Sequence, residues 1–394
     1  MSSPVWHQRN SVRAALAGTA LIVLALLVEL LFPESPTAGL IQLVDASYVS
    51  AALRLTVPIA FAALGGIFAE KSGVINIGLE GLLIVSAFAA IAVGHMVGGT
   101  DASQAALWFA FLVAVLASTL MVAVFAVVTI RYKADQIIAG LAVWFVALGL
   151  GPFLARVLWG TVNSPSVATL GRWNLAAALA SVPLVGPPLV AALAAIPDAV
   201  AAVPVVGPPV AGPLETALNF LFQVLFNAGP TVYMMLIAVP SAWYVLNRTQ
   251  YGRWIRASGE NPKALDTAGV NVTRVRYASV LVSGVLAGIG GAGLALDQVG
   301  QFIGSGQTMV NGRGWIGITA YLFGNYNPVG AFGASFLFAA LQALQIRVQQ
   351  VAFLDLPSSL VRIVPFVTVV VVLALVGKTR LPDAAGEHYE SGEE

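Results

Sequence analysis

The chain has 394 residues, of which 58% are hydrophobic and only 9% are Asp, Glu, Lys or Arg. With a mean hydropathy of +0.88 it reads as an integral membrane protein, and 19 basic against 18 acidic residues leave no charge excess to attract nucleic acid. The absence of cysteine excludes disulfides, thiolate metal sites and thiol nucleophiles, and His7, His95 and His388 are too scattered to suggest a metal centre.

Arg9 and Arg13 precede an apolar stretch from Ala14 to Phe32. It is longer than a signal-peptide core, carries Glu29 and lacks a small-x-small cleavage site, so it reads as a retained first span. Spans need about 20 apolar residues, fewer where a helix is broken inside the protein. They are predicted at 14–32, 47–69, 78–98, 105–130, 136–159, 229–247, 276–297, 312–325, 327–346 and 359–377. Lys and Arg gather in cytoplasmic loops. Ten spans with both termini cytoplasmic put Arg9, Arg13, Arg131, Lys133, the 248–275 loop, Lys378 and Arg380 on that one side. The expected fold is therefore an all-α, polytopic cell-membrane protein with a transmembrane domain over residues 1–381.

Residues 160–228 then lie outside the cell. Within them VPLVGPP (182–188) recurs as VPVVGPP (203–209) around an apolar segment too short to span, which reads as an extracytoplasmic hairpin or interfacial helix. It is either a docking surface for a binding protein or a decoration. Residues 382–394 carry Asp383, Glu387, Glu390, Glu393 and Glu394 without any Lys or Arg, the composition of a disordered, solvated tail.

The basic loop holds Arg248, Arg253, Arg256, Lys263, Arg274 and Arg276. Its middle reads as a short capped helix: Asn261 caps the first amides, Pro262 suits the first helical position and Gly269 closes the last turn. Such a helix is either a handle for a soluble motor or an interfacial helix lying on lipid. Spans one to five and six to ten would form two five-helix halves, the second inverted. Interruptions at Ser72–Gly81 and Gly300–Gly314 fall at similar places in each, as in transporters built from inverted repeats.

Gly288-Ile289-Gly290-Gly291-Ala292-Gly293 matches a dinucleotide fingerprint but sits inside an apolar span with no strand before it. Gly284, Gly288 and Ala292 instead allow a close helix–helix approach. No G-x-x-x-x-G-K-[ST] and no Ser/His/Asp or HExxH set occurs, so no enzymatic site is expected. Polar groups within spans are costly and usually face a cavity or a partner. Asn76 and Glu80, four residues apart, would share a face if helical; Glu80 is either part of the path or a cap on a broken helix. Asp297 and Arg313 read as a boundary ion pair. Asn325, Asn327, Gln342 and Gln345 either bond between helices or contact substrate.

EKSGVINIGLEG (70–81), YGRWIRASGENPKALDTAGVNVTRVRY (251–277) and GRGWIGITAYLFGNYNPVGAFGASFLFAALQALQIRVQ (312–349) closely resemble the permease subunits of ABC importers for nucleosides and simple sugars, nearest to the nucleoside branch. The resemblance spans about residues 47–377; the Pro-rich insert and acidic tail depart from it. It implies pairing with a second, homologous permease, one of the two carrying the NIGLEG form of Asn76–Gly81. It further implies a cytoplasmic ABC ATPase that holds the ATP and magnesium, an extracytoplasmic substrate-binding lipoprotein, and a nucleoside or sugar as cargo. Glu260, Asn261, Pro262, Lys263, Ala264, Asp266, Ala268 and Gly269 would form the coupling element. A ribose-like sugar permease and an ion-coupled carrier are the alternatives.

Overall fold

The computed structural model describes residues 45–174, 224, 227–350 and 381–389. The spans expected at 14–32 and 359–377 and the VPLVGPP repeat lie outside the described residues. Among the described residues ten α-helices follow in chain order: α1 (Ala46–Lys71), α2 (Leu79–Met96), α3 (Gln104–Ala126), α4 (Gln136–Trp159), α5 (Pro230–Arg248), α6 (Gln250–Glu260), α7 (Pro262–Thr267), α8 (Val272–Gly293), α9 (Arg313–Phe323) and α10 (Pro328–Gln350). α3 and α8 run on through wide π turns at Val127–Arg131 and Leu294–Val299. Six of these elements are long and apolar enough to cross a membrane. The protein is thus a multi-pass, helical membrane protein.

Polar residues at the apolar boundaries start these helices. Ser103, Asp135 and Asn271 accept hydrogen bonds from the amides of Ala106 (3.2 Å), Ile138 (2.8 Å) and Arg274 (2.8 Å), satisfying N-terminal donors that the helix leaves free. The basic loop contains two helices where one was expected. α6 precedes the short helix and is capped by Thr249, whose hydroxyl accepts from Gly252 N–H.

The chain divides into two compact units. The larger comprises residues 52–193, 226–340 and 379–394. Its centre is α1, α2 and α8, whose most apolar stretches are 83%, 67% and 72% buried, while those of α3 and α4 are only 33% and 17% buried. α8 packs closely because its contact face is small. A side-chain carbon on Gly284 would stand 2.2 Å from Val122, and one on Gly288 would stand 2.9 Å from the Val115 backbone. That proximity lets Ser118 and Ser86 donate to the Gly284 and Gly288 carbonyls at 2.9 and 2.6 Å, binding α3 and α2 to α8. The smaller unit comprises 1–51, 194–225 and 341–378. Among its described residues Arg347 pairs with Asp45 at 2.8 Å and lies over the Tyr48 ring.

At one end of the larger unit, residues 163–174 fold over the chain after α8. Val167 and Leu170 N–H donate to the carbonyls of Gly300 (2.7 Å) and Leu296 (2.8 Å), and Trp173–Asn174 pairs antiparallel with Asn227–Ala228. The basic segments gather at the other end: Lys71, Arg256 and Asn325 line one polar cavity, and Gln136, Arg276 and Tyr389 line another.

Candidate functional site

Two non-helical segments enter the larger unit from opposite ends. The first, Ser72–Gly78, follows α1 at the basic end. The second, Gly300–Gly312, follows α8 at the other end. Backbone groups freed from a helix need acceptors when buried, and both segments find them in side chains. Ile75 N–H donates to Gln136 at 2.6 Å, and Gly78 N–H to Asn76 Oδ1 at 3.1 Å. Asn76 Nδ2 donates to Ser283 on α8 at 3.1 Å. In the second segment, Phe302 N–H donates to Ser164 Oγ (2.9 Å) and Gly304 N–H to Asn163 Oδ1 (3.0 Å).

The segments are joined by Glu80. Its two carboxylate oxygens accept from the amides of Gly312 (2.8 Å) and Gly314 (2.6 Å), at the N-terminus of α9. An anion at a helix N-terminus faces the positive end of the helix dipole. Position 314 must be glycine for this approach, since a Cβ there would lie 2.5 Å from Glu80 Cα. α9 has 11 residues, so the junction lies about 16 Å along a helix axis from its other end. The breaks therefore meet inside the protein.

Glu80 and Asn76 are only 2% and 1% exposed. They do not share a helical face, because Asn76 lies in the break and Glu80 in the first turn of α2. Asp297 and Arg313 are held by other groups instead of by each other. Thr231 donates to Asp297 through both its hydroxyl and its amide, while Arg313 Nη1 donates to the Met309 and Val310 carbonyls at 2.9 and 3.0 Å. Asn327 accepts from Val329 N–H at 3.0 Å and starts α10. Asn325 and Tyr326 both adopt left-handed backbone, with φ of +50° and +56°. Gln342 and Gln345 are half-buried on the part of α10 that belongs to the smaller unit.

The residues between α6 and α8 fold as their sequence dictates. Asn261 Oδ1 accepts from Ala264 N–H at 3.0 Å, Pro262 opens α7, and Gly269 follows it with φ +80°. Leu265 is buried beneath α7, while Lys263, Ala264, Thr267 and Ala268 are exposed. Asp266 is turned the other way: Tyr389 Oη donates to its carboxylate at 2.8 Å. Glu260 ends α6 beside a polar cavity of ≈ 250 Å³ shared with Lys71, Arg256 and Tyr326.

Sequence reasoning missed three features. Glu70, 5% exposed, accepts from Tyr321 Oη and from Tyr326 Oη (2.7 Å), tying the end of α1 to the end of α9. Ser283 and Gln136 support the first break. Residues 382–389, the described part of the tail expected to be disordered over 382–394, form a turn packed on the basic end, with Ala384 only 5% exposed. Composition suggested disorder there because the charges are real; the turn is held mainly through backbone atoms, which composition does not register.

Residues 48–373 match the family described as branched-chain amino acid transport system / permease component. The chain belongs to this family. The permease is 32% identical to the nucleoside ABC transporter permease protein NupC of Lactococcus lactis subsp. cremoris, over 86% of its own length and 94% of that protein. It is 30% identical to the guanosine ABC transporter permease protein NupQ of Bacillus subtilis, over 87% and 96% of the two chains. A second guanosine permease protein of that bacterium, NupP, is 24% identical over 80% of this chain and 78% of its own. No solved structure matches the permease.

Proposed function

We propose that this permease is the membrane-spanning subunit of an ABC importer for nucleosides, powered by ATP hydrolysis in a separate chain. The observation that carries the substrate class is the match, along nearly their whole lengths, to two permeases named for nucleoside and guanosine transport. The sequence has no P-loop of its own, which agrees with ATP and magnesium being bound by a partner ATPase. Two guanosine permease proteins of one bacterium both resemble this chain, which favours pairing with a second, homologous permease. The apolar outer faces of α3 and α4 suit contact with lipid and with that subunit.

The basic end faces the cytoplasm by the distribution of Lys and Arg, with both termini on that side. The ATPase docks on the exposed face of α7, at Lys263, Ala264 and Ala268; a binding lipoprotein delivers substrate at the opposite end. The ten spans form two inverted halves, a reading supported by the breaks that enter from opposite ends and meet at Glu80. Asn76 and Glu80 serve the path by holding those breaks in place, since both are buried and bonded to protein. Movement of α7 alters the first break and opens the path on alternate sides.

Reconstitution of the complete complex in vesicles tests this reading. ATP-dependent uptake of labelled nucleoside, unaffected by excess ribose, is the expected result. Competition by ribose would reassign the substrate to simple sugars, and uptake that collapses with an ionophore but survives loss of the ATPase would replace the importer with an ion-coupled carrier.

A further inference from the structure

The C-terminal turn touches four elements of the basic end within six residues. Ala384 N–H donates to the Gly259 carbonyl in α6 at 2.8 Å. Gly386 N–H donates to the Gly73 carbonyl in the first break at 3.0 Å. The Glu387 carbonyl accepts from Arg276 Nη1 in α8 at 2.6 Å, and Tyr389 Oη reaches Asp266 in α7. Gly386 has φ +84°, and a Cβ there would stand 3.0 Å from Ile75 Cδ1 in the same break. Ser258 of α6 adds a bond to the Ser72 carbonyl at 2.8 Å.

Arg276 shows how closely the turn is built in. Its side chain is 4% exposed, and Nε and Nη2 have no hydrogen-bond partner among the described residues. The Glu387 carbonyl is the acceptor that holds this buried cation. α7 itself carries six residues, and its route to the break along its own chain runs back through Asn261 to α6, where Ser258 holds the Ser72 carbonyl. The turn adds a second route, in which the bond to α7 at Tyr389 and the bond to the break at Gly386 are three positions apart.

We propose that residues 381–389 are a coupling strap: they carry displacement of α7 by the ATPase to the Ser72–Gly78 break, and so act as a positioning element for transport. This rests on the transporter reading above. The strap pulls on the break through Gly73 and Ile75, and the next residue, Asn76, holds Ser283 of the central helix α8. A push received at the protein surface thereby reaches the core without any new contact being formed.

The test compares the wild-type complex with a truncation lacking residues 383–394, with Gly386→Val and with Tyr389→Phe. In proteoliposomes holding all subunits, the readout is nucleoside taken up per ATP hydrolysed. The strap predicts that the ATPase stays bound and active in every variant, while this ratio falls about fivefold or more on truncation and less in Tyr389→Phe. An unchanged ratio in an intact complex would overturn the proposal, as would loss of the ATPase from the complex, which would make the turn a docking part only. If the truncated chain fails to fold, the two single substitutions decide by the same ratio. A wild-type complex without ATP-driven uptake would overturn the transporter reading and the strap with it, so the two failures are distinguishable.

Discussion

Glu80 acts as a lock at the junction of two broken helices. Replacing it with alanine leaves the Gly312 and Gly314 amides without their acceptor in the interior, at about 1–3 kcal/mol for each unsatisfied group. The detergent-solubilised Glu80→Ala protein should therefore melt at a lower temperature than wild type, with Glu80→Gln, which keeps one acceptor oxygen, in between. Equal melting of all three would remove the lock. Ser283→Ala frees Asn76 Nδ2 in the same way and should reduce uptake with little change in assembly, as measured in vesicles holding the complete complex. Asn76 and Glu80 were legible as unusual because polar groups in apolar spans stand out. Their partners were not, since Asn76 bonds 207 residues along the chain and Glu80 reaches 232 and 234. The expected pairing of Asp297 with Arg313 failed for a related reason: Asp297 accepts from Thr231, and Arg313 Nη1 donates to the Met309 carbonyl.

At the scale of elements, α7 was the most readable part of the chain. Its cap, its proline and its terminating glycine are all local signals, and all three occupy the expected positions. The exposed residues of its face define the informative substitutions. Ala264→Trp and Ala268→Trp should abolish co-purification of the ATPase and lower uptake while leaving the melting temperature of the permease unchanged, because neither side chain is packed. Retained ATPase binding would separate α7 from docking. Asp266 is a less selective probe, since its carboxylate is bonded to Tyr389. α6 escaped sequence reading because its arginines resemble a loop; its apolar positions are few, and only Ile255 among its large side chains is buried. In α8 the small-residue stripe was legible, and the structure gives its reason. Gly288→Leu forces a side chain against the Val115 backbone and Ser118, an overpacking that costs about 1–3 kcal/mol or prevents folding, measurable as reduced yield and melting temperature.

For the whole molecule, hydropathy located every described membrane helix to within a few residues, because a bilayer demands continuous apolar length and little else. Orientation depends on charge alone, and the cysteine-free chain makes it directly accessible. A Lys263→Cys variant should react with an impermeant maleimide in inside-out vesicles and remain protected in intact cells. Labelling in intact cells would invert the topology and move α7 to the wrong side for an ATPase. The arrangement of the two breaks was only partly legible. Glycine clusters signalled where helices stop, but the meeting of both segments on one carboxylate is a property of the packed fold.

This permease is expected to move nucleoside only when a separate ATPase works on it. The most direct measurement is labelled guanosine uptake into proteoliposomes carrying the permease alone or the complete complex, with and without ATP. Accumulation is expected only with the complete complex and ATP. Accumulation by the permease alone, against a guanosine gradient and without ATP, would contradict it.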